Sequence, residues 1–221
     1  MMLNQRSIAY VMFIFLGVGN LFPWNVFINA GGYFASRFCG TLFSDNFENY
    51  FSFSFTVSQT IGLALSVKYQ NTLSLWTRIA IPLMTTSTIF LINSIFVVVD
   101  MNSNLLFVLT LICTFICGSV GSLLSGGLFG LAAVMPSSFT GALMTGQGVA
   151  GAIVSLSDIF TLLAAADTSV CSDDDTSGDD SATCDGFVLS GSTLAYFLIA
   201  TFILIFCVAI FIYLRNMSIT K

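Results

Sequence analysis

"LGVGNLFPWNVFINAGGYF", from Leu16 to Phe34, closes an apolar run that begins near Ile8. A stretch this hydrophobic is suited to burial, yet it carries Asn20, Pro23, Trp24 and Asn25. A helix serving only as an anchor gains nothing from them. Polar and helix-breaking residues at membrane depth are costly unless a cavity, a neighbouring helix or a bound solute satisfies them. The stretch therefore predicts a membrane span with something to line.

The composition agrees. Of 221 residues, 8% are charged and 56% are hydrophobic, against about 25% charge in soluble domains. The expected class is an all-α, polytopic membrane protein. Lys and Arg number six, too few for a nucleic-acid footprint. His is absent, which removes the usual metal ligand and the usual general base. With no metal-ligand spacing and no paired buried carboxylates, no enzyme, metal or cofactor is expected. Cys113 and Cys117 would share one face of an apolar helix and read as small packing residues rather than a metal pair.

A spanning helix needs about 20 mostly apolar residues. Six windows qualify, at about 8–32, 50–68, 78–99, 105–133, 138–166 and 190–214, and form one bundle over residues 1–221. The first begins too near Met1, and is too long and too polar at its end, for a cleaved signal peptide. With the N-terminus in the cytoplasm, Arg6, Lys68, Arg78, Arg215 and Lys221 fall inside and Arg37 outside, as the positive-inside bias requires. Both termini are then cytoplasmic. The acidic loop 167–186 is non-cytoplasmic, to be read as a solvated loop or as a cation-concentrating mouth. In that oxidising compartment Cys171 and Cys184 are candidates for a disulfide. The sequon at Asn216 falls on the wrong face for glycosylation.

Read at a period of 3.6, four windows carry a polar stripe. Gly17, Asn20 and Trp24 share a face of the first, with Pro23 and Asn25 beside them. Ser52, Thr56, Gln59, Gly62 and Ser66 align on the second; Gly118, Gly121, Ser122 and Ser125 gather on the fourth; Gln147, Gly151, Ser155 and Asp158 align on the fifth. Small residues at this spacing serve close helix packing or a wet lining, and the pattern alone leaves both open. Gln59 and Gln147 are the stronger candidates for function, because a carboxamide needs several partners. Trp24 reads as a belt residue or, given Pro23 and Asn25, as the wall of a bend facing a cavity. Asp158 lies about 17 residues beyond Gly141, a rise of about 25 Å. Near that far interface a carboxylate reaches water, and rim lining competes with proton coupling.

These residues resemble a known family. "LGVGNLFPWNVF" (Leu16 to Phe27) is similar to the first-helix motif of the equilibrative nucleoside transporters. "GGLFGLAAVMPSSFTGALMTGQGVAGAIVS" (Gly126 to Ser155) looks like their fourth-to-fifth helix region, and "STLAYF" (Ser192 to Phe197) like the start of their sixth helix. The resemblance implies a major-facilitator-like carrier of eleven spans, six in one bundle and five in the other, with substrate bound between them. By the same resemblance Trp24 is the first-helix aromatic against which a nucleoside packs. Ser125 stands where members often carry a base-contacting glutamine, and Gly121 matches a glycine close to the substrate region. Gln147, between Gly146 and Gly148, matches the fifth-helix motif. Gln59 lies near the second-helix cavity face, and Asn20 completes the expected substrate set. Pro23, Asn25, Gly146, Gly148 and Asp158 are expected to be structural or gating.

The leading expectation is facilitated diffusion of nucleosides or nucleobases by alternating access, at the plasma membrane, with this chain supplying one half of the carrier. Its partners are then the substrate, the lipid bilayer, and a missing C-terminal bundle or a second chain. The alternative is a truncated, non-transporting membrane protein that assembles with or modulates full-length transporters.

Overall fold

The structure is a computed structural model describing residues 2–38, 40–69, 72–99, 101–166 and 187–216, apart from the side chains of 2–4, 158, 160–166, 187–190 and 192. Among the described residues the regular structure is helical: α1 (Met2–Asn29), α2 (Gly31–Arg37), α3 (Phe47–Lys68), α4 (Leu75–Val98), α5 (Ser103–Ala133), α6 (Ser138–Ala166) and α7 (Phe187–Asn216). By length and composition five stretches suffice to cross a membrane: Gln5–Arg37, Leu75–Val98, Ser103–Ala133, Ser138–Ser157 and Thr193–Asn216. The remaining sequence window corresponds to α3. Its 22 residues rise about 33 Å, enough for a hydrocarbon core of about 30 Å. However, Ser52, Ser54, Thr56, Ser58, Gln59 and Thr60 make α3 too polar to qualify on hydropathy.

The first window is divided differently from the sequence expectation. Pro23 lies inside α1, which continues to Asn29. A proline leaves the carbonyl four residues back without its helical donor, here that of Gly19, but the interruption falls later, at Ala30. The Phe34 and Phe38 amides then donate to the Ala30 and Phe34 carbonyls, carrying the helical pattern through α2. The polar and aromatic loop that follows is held by its rings. Phe38 packs edge-on to Phe47 at 5.4 Å and to Phe107 at 5.6 Å, while Phe43 stacks on Phe107 at 4.3 Å. Gly40, at φ 73°, takes the left-handed turn that lets the chain fold back.

Helix neighbours run α3–α5–α4–α7–α1–α6, and lighter contacts of α5 with α6 and α1 close the bundle. Two seams are built from small residues. Between α1 and α6, Gly17 and Gly146 face each other so closely that a Cβ on either would meet the opposite backbone. Between α3 and α5, a Cβ on Gly62 would meet Ser119 and Ser122, and one on Gly118 would meet Ser58 and the Phe55 carbonyl. The Ser122 hydroxyl donates 2.7 Å to the Ser119 carbonyl and the Ser58 hydroxyl 2.9 Å to that of Phe55. Such bonds within a helix satisfy a hydroxyl without a cavity. Ser122, one of the residues open between packing and lining, belongs to packing. Cys117 and Cys207 are buried free thiols and Cys113 a half-buried one. Among the described residues no cluster of three His, Cys, Asp or Glu groups is placed to hold a metal.

Candidate functional site

Close packing of α3 on α5 decides what stands opposite Trp24. Because Gly118 lacks a Cβ, the α3 backbone at Phe55 and Ser58 comes against α5, and Phe55 reaches across to α1. Its ring stacks on the Trp24 indole with centroids 3.9 Å apart and planes 21° apart. Aromatic pairs of this kind add about 0.5–1.5 kcal/mol beyond area burial. The stripe reading overlooked Phe55. Helical spacing puts Phe55 with Phe51 and Gln59, but the sequence holds no sign that the Phe55 ring would reach the Trp24 indole of α1.

Below this pair a narrow cavity of about 30 Å³ is lined by Asn20, Pro23, Trp24, Phe55, Thr86 and Gly121, among others. That space holds a water or two and falls far short of a nucleoside. One turn further into the bundle from Gly121, the Ser125 hydroxyl donates 3.0 Å to the Asn20 side-chain carbonyl. Three of the expected substrate residues, Asn20, Trp24 and Gly121, thus line one cavity, and Ser125 is bonded to its wall. Pro23 belongs to the same wall and is buried.

The other candidates lie elsewhere. Gln59 is exposed on α3, one turn past Phe55 and outside this cavity. Gln147 is half-buried on α6, and its neighbours differ: Gly146 is buried against α1 while a Cβ on Gly148 would meet open space. The Asn25 amide nitrogen is buried without a hydrogen-bond partner, and Gly151 of α6 lies next to it, at 4.0 Å from an added Cβ. One turn on, the Asn29 amide donates 3.3 Å to the Val154 carbonyl. Asp158 falls on α6, but its side chain, like Cys171 and Cys184, lies outside the described residues. Thr86 of α4, nearly buried, is a lining residue the sequence did not single out. With three threonines in "MTTSTIF", the stretch carries no signal of which hydroxyl turns inward.

The glycines of α5 now separate into two kinds. Gly118 is required by packing, whereas a Cβ on Gly121 would meet nothing within 4 Å. Gly118→Ala is expected to destabilise the bundle by about 1–3 kcal/mol through overpacking and to disturb the Trp24–Phe55 stack. Gly121→Ala is expected to leave stability within about 0.5 kcal/mol while narrowing the cavity. Thermal unfolding with Trp fluorescence checks both, and equal destabilisation by the two would contradict the assignment.

A family model described as "Nucleoside transporter" matches residues 109–221. Equilibrative nucleoside transporter 1 of Mus musculus is 28% identical over 194 residues, covering 75% of this chain and 42% of that protein. The Homo sapiens protein of the same name is 26% identical over 200 residues, covering 75% and 42%. Equilibrative nucleoside transporter 2 of Mus musculus is 27% identical over 178 residues, covering 74% and 39%. The chain thus spans about two fifths of the length of the curated relatives it matches. Half of the chain falls within the family model. This membrane bundle belongs to the equilibrative nucleoside transporter family.

Proposed function

We propose that the chain supplies one wall of a facilitative carrier for nucleosides or nucleobases, working by alternating access. The carrying observation is the cavity where Asn20, Trp24 and Gly121 converge beside the Asn20–Ser125 hydrogen bond in a chain of this family. An indole face accepts any base, since stacking is tolerant of base identity. The Asn20 and Ser125 pair adds a donor and acceptor that turn toward a base or sugar when the cavity opens. Gln147 and Gln59 extend the polar surface, and Pro23, Asn25, Gly146, Gly148 and Asp158 shape or gate it.

A cavity of about 30 Å³ is consistent with a half-site. Alternating access rocks one bundle against another around a shared site, so the second wall comes from a C-terminal bundle or a second chain. We place both termini in the cytoplasm, following the Lys and Arg distribution, and the carrier in the plasma membrane.

The test is uptake of radiolabelled adenosine and uridine by transporter-null cells expressing residues 1–221, with surface delivery measured in parallel. The expected result is no saturable uptake from this bundle alone, and saturable uptake once it is joined to a second bundle of a family member. Failure of the joined protein, delivered to the surface, to carry any nucleoside would overturn the reading.

A further inference from the structure

Thr86, on α4, is only 5% exposed, yet it lines the cavity beside Trp24 together with Asn20 and Gly121. A hydroxyl this deep in a helix commonly bonds to the carbonyl one turn back. Others on α4 do so: Thr88 donates 2.9 Å to the Met84 carbonyl and Ser94 2.9 Å to that of Phe90. The Thr86 hydroxyl makes no hydrogen bond with a described residue. Nor is it sealed away, as the unpartnered Thr110 hydroxyl is. It therefore opens on a space, and the space that Thr86 lines is this cavity.

Asn20 lines the same cavity from α1. Its side-chain carbonyl accepts from the Ser125 hydroxyl at 3.0 Å. Its amide nitrogen, by contrast, has no partner among the described residues and is likewise not sealed away. That nitrogen can only donate, and a hydroxyl can donate too. Two donors on two helices around a space of about 30 Å³ suit one compact acceptor. A ribose does not fit there, whereas a single exocyclic oxygen at the edge of a base does. An exocyclic amine is the poorer match, because its hydrogens meet the Asn20 N–H groups. Within the nucleoside-carrier reading, on which this rests, we infer that Thr86 is a specificity-determining residue. Its hydroxyl donates, together with the Asn20 amide, to an exocyclic carbonyl oxygen of the base stacked on Trp24. Bases carrying an oxo group are thereby favoured over those carrying an amino group.

Saturable uptake of inosine, adenosine and purine riboside by the joined two-bundle protein tests this. The three share one ring system and carry an oxo group, an amino group and a hydrogen at the same exocyclic position. Inosine is expected to half-saturate at a lower concentration than adenosine. Thr86→Val removes the hydroxyl and keeps the branched shape. It is expected to raise the inosine half-saturation constant about 2- to 12-fold, as for the loss of one net hydrogen bond, and to leave that of purine riboside unchanged. Thr86→Ser is expected to restore the inosine value. Because no bond within the chain is lost, the melting midpoint of Thr86→Val is expected not to fall. An adenosine constant equal to or below that of inosine in the unaltered protein would overturn the inference. An inosine constant unmoved by Thr86→Val would do the same, as would all three constants rising alike, the mark of a packing role. Those results leave the carrier reading standing. Absence of uptake of all three nucleosides by the joined protein, delivered to the surface, overturns both.

Discussion

Gly146→Val is expected to prevent a stable bundle, with an apparent melting midpoint in detergent lower by on the order of 10 °C and loss of the monodisperse species. The reason lies in what a side chain would strike. A Cβ on Gly146 would collide with the Ile14 carbonyl and come within 3.0 Å of the Gly17 Cα. On Gly17 it would collide with the Leu143 carbonyl and reach 3.1 Å from the Gly146 Cα. Backbone cannot step aside as the far end of a side chain can, so the helices themselves must part. Overpacking of this kind costs about 1–3 kcal/mol or more, and α1 with α6 forms the most extensive helix pair in the bundle. Gly148→Val is the control, two residues away and facing open space; its midpoint is expected to match the unaltered chain. Equal losses in the two variants would show that the α1–α6 seam is not what the glycine serves.

Trp24→Ala is expected to weaken nucleoside affinity by roughly 5- to 150-fold, the range that corresponds to losing one base-stacking platform of about 1–3 kcal/mol. It is measured in whichever form of the protein takes up nucleoside. Trp24→Phe is expected to recover most of the affinity, because the remaining ring still presents a face. Leu16→Ala supplies the contrast. Leu16 is fully buried on the same helix, and its truncation is expected to cost about 2–5 kcal/mol of stability without altering affinity per folded molecule. If Leu16→Ala lowers that affinity as much as Trp24→Ala does, Trp24 acts through the fold and not as a wall of the site.

Much of the helical layout was legible in the chain. Spans showed as apolar windows, and α6 begins at Ser138, within "MPSSFTG". The division of the first window at Ala30 was not legible, because Pro23 is the obvious breaker and α1 tolerates it. The candidate site was readable in part. Asn20, Trp24 and Gly121 stand out by residue type and family resemblance, and they meet. Gln59 stood out equally; it is exposed on α3, and Phe55 holds the place next to Trp24.

What the sequence by itself determined is the membrane class and the helix order, together with the residues too polar to serve as lipid-facing filler. These follow from local quantities: hydropathy summed over a window, charge placement and helical period. Only the tertiary structure decided which small residues are seams and which are openings. Gly118 and Gly121 are alike in composition and neighbourhood, yet one meets Ser58 and the Phe55 carbonyl and the other meets nothing. The difference depends on where α3 lies across α5, and that position is set by long-range packing that no window of the chain contains.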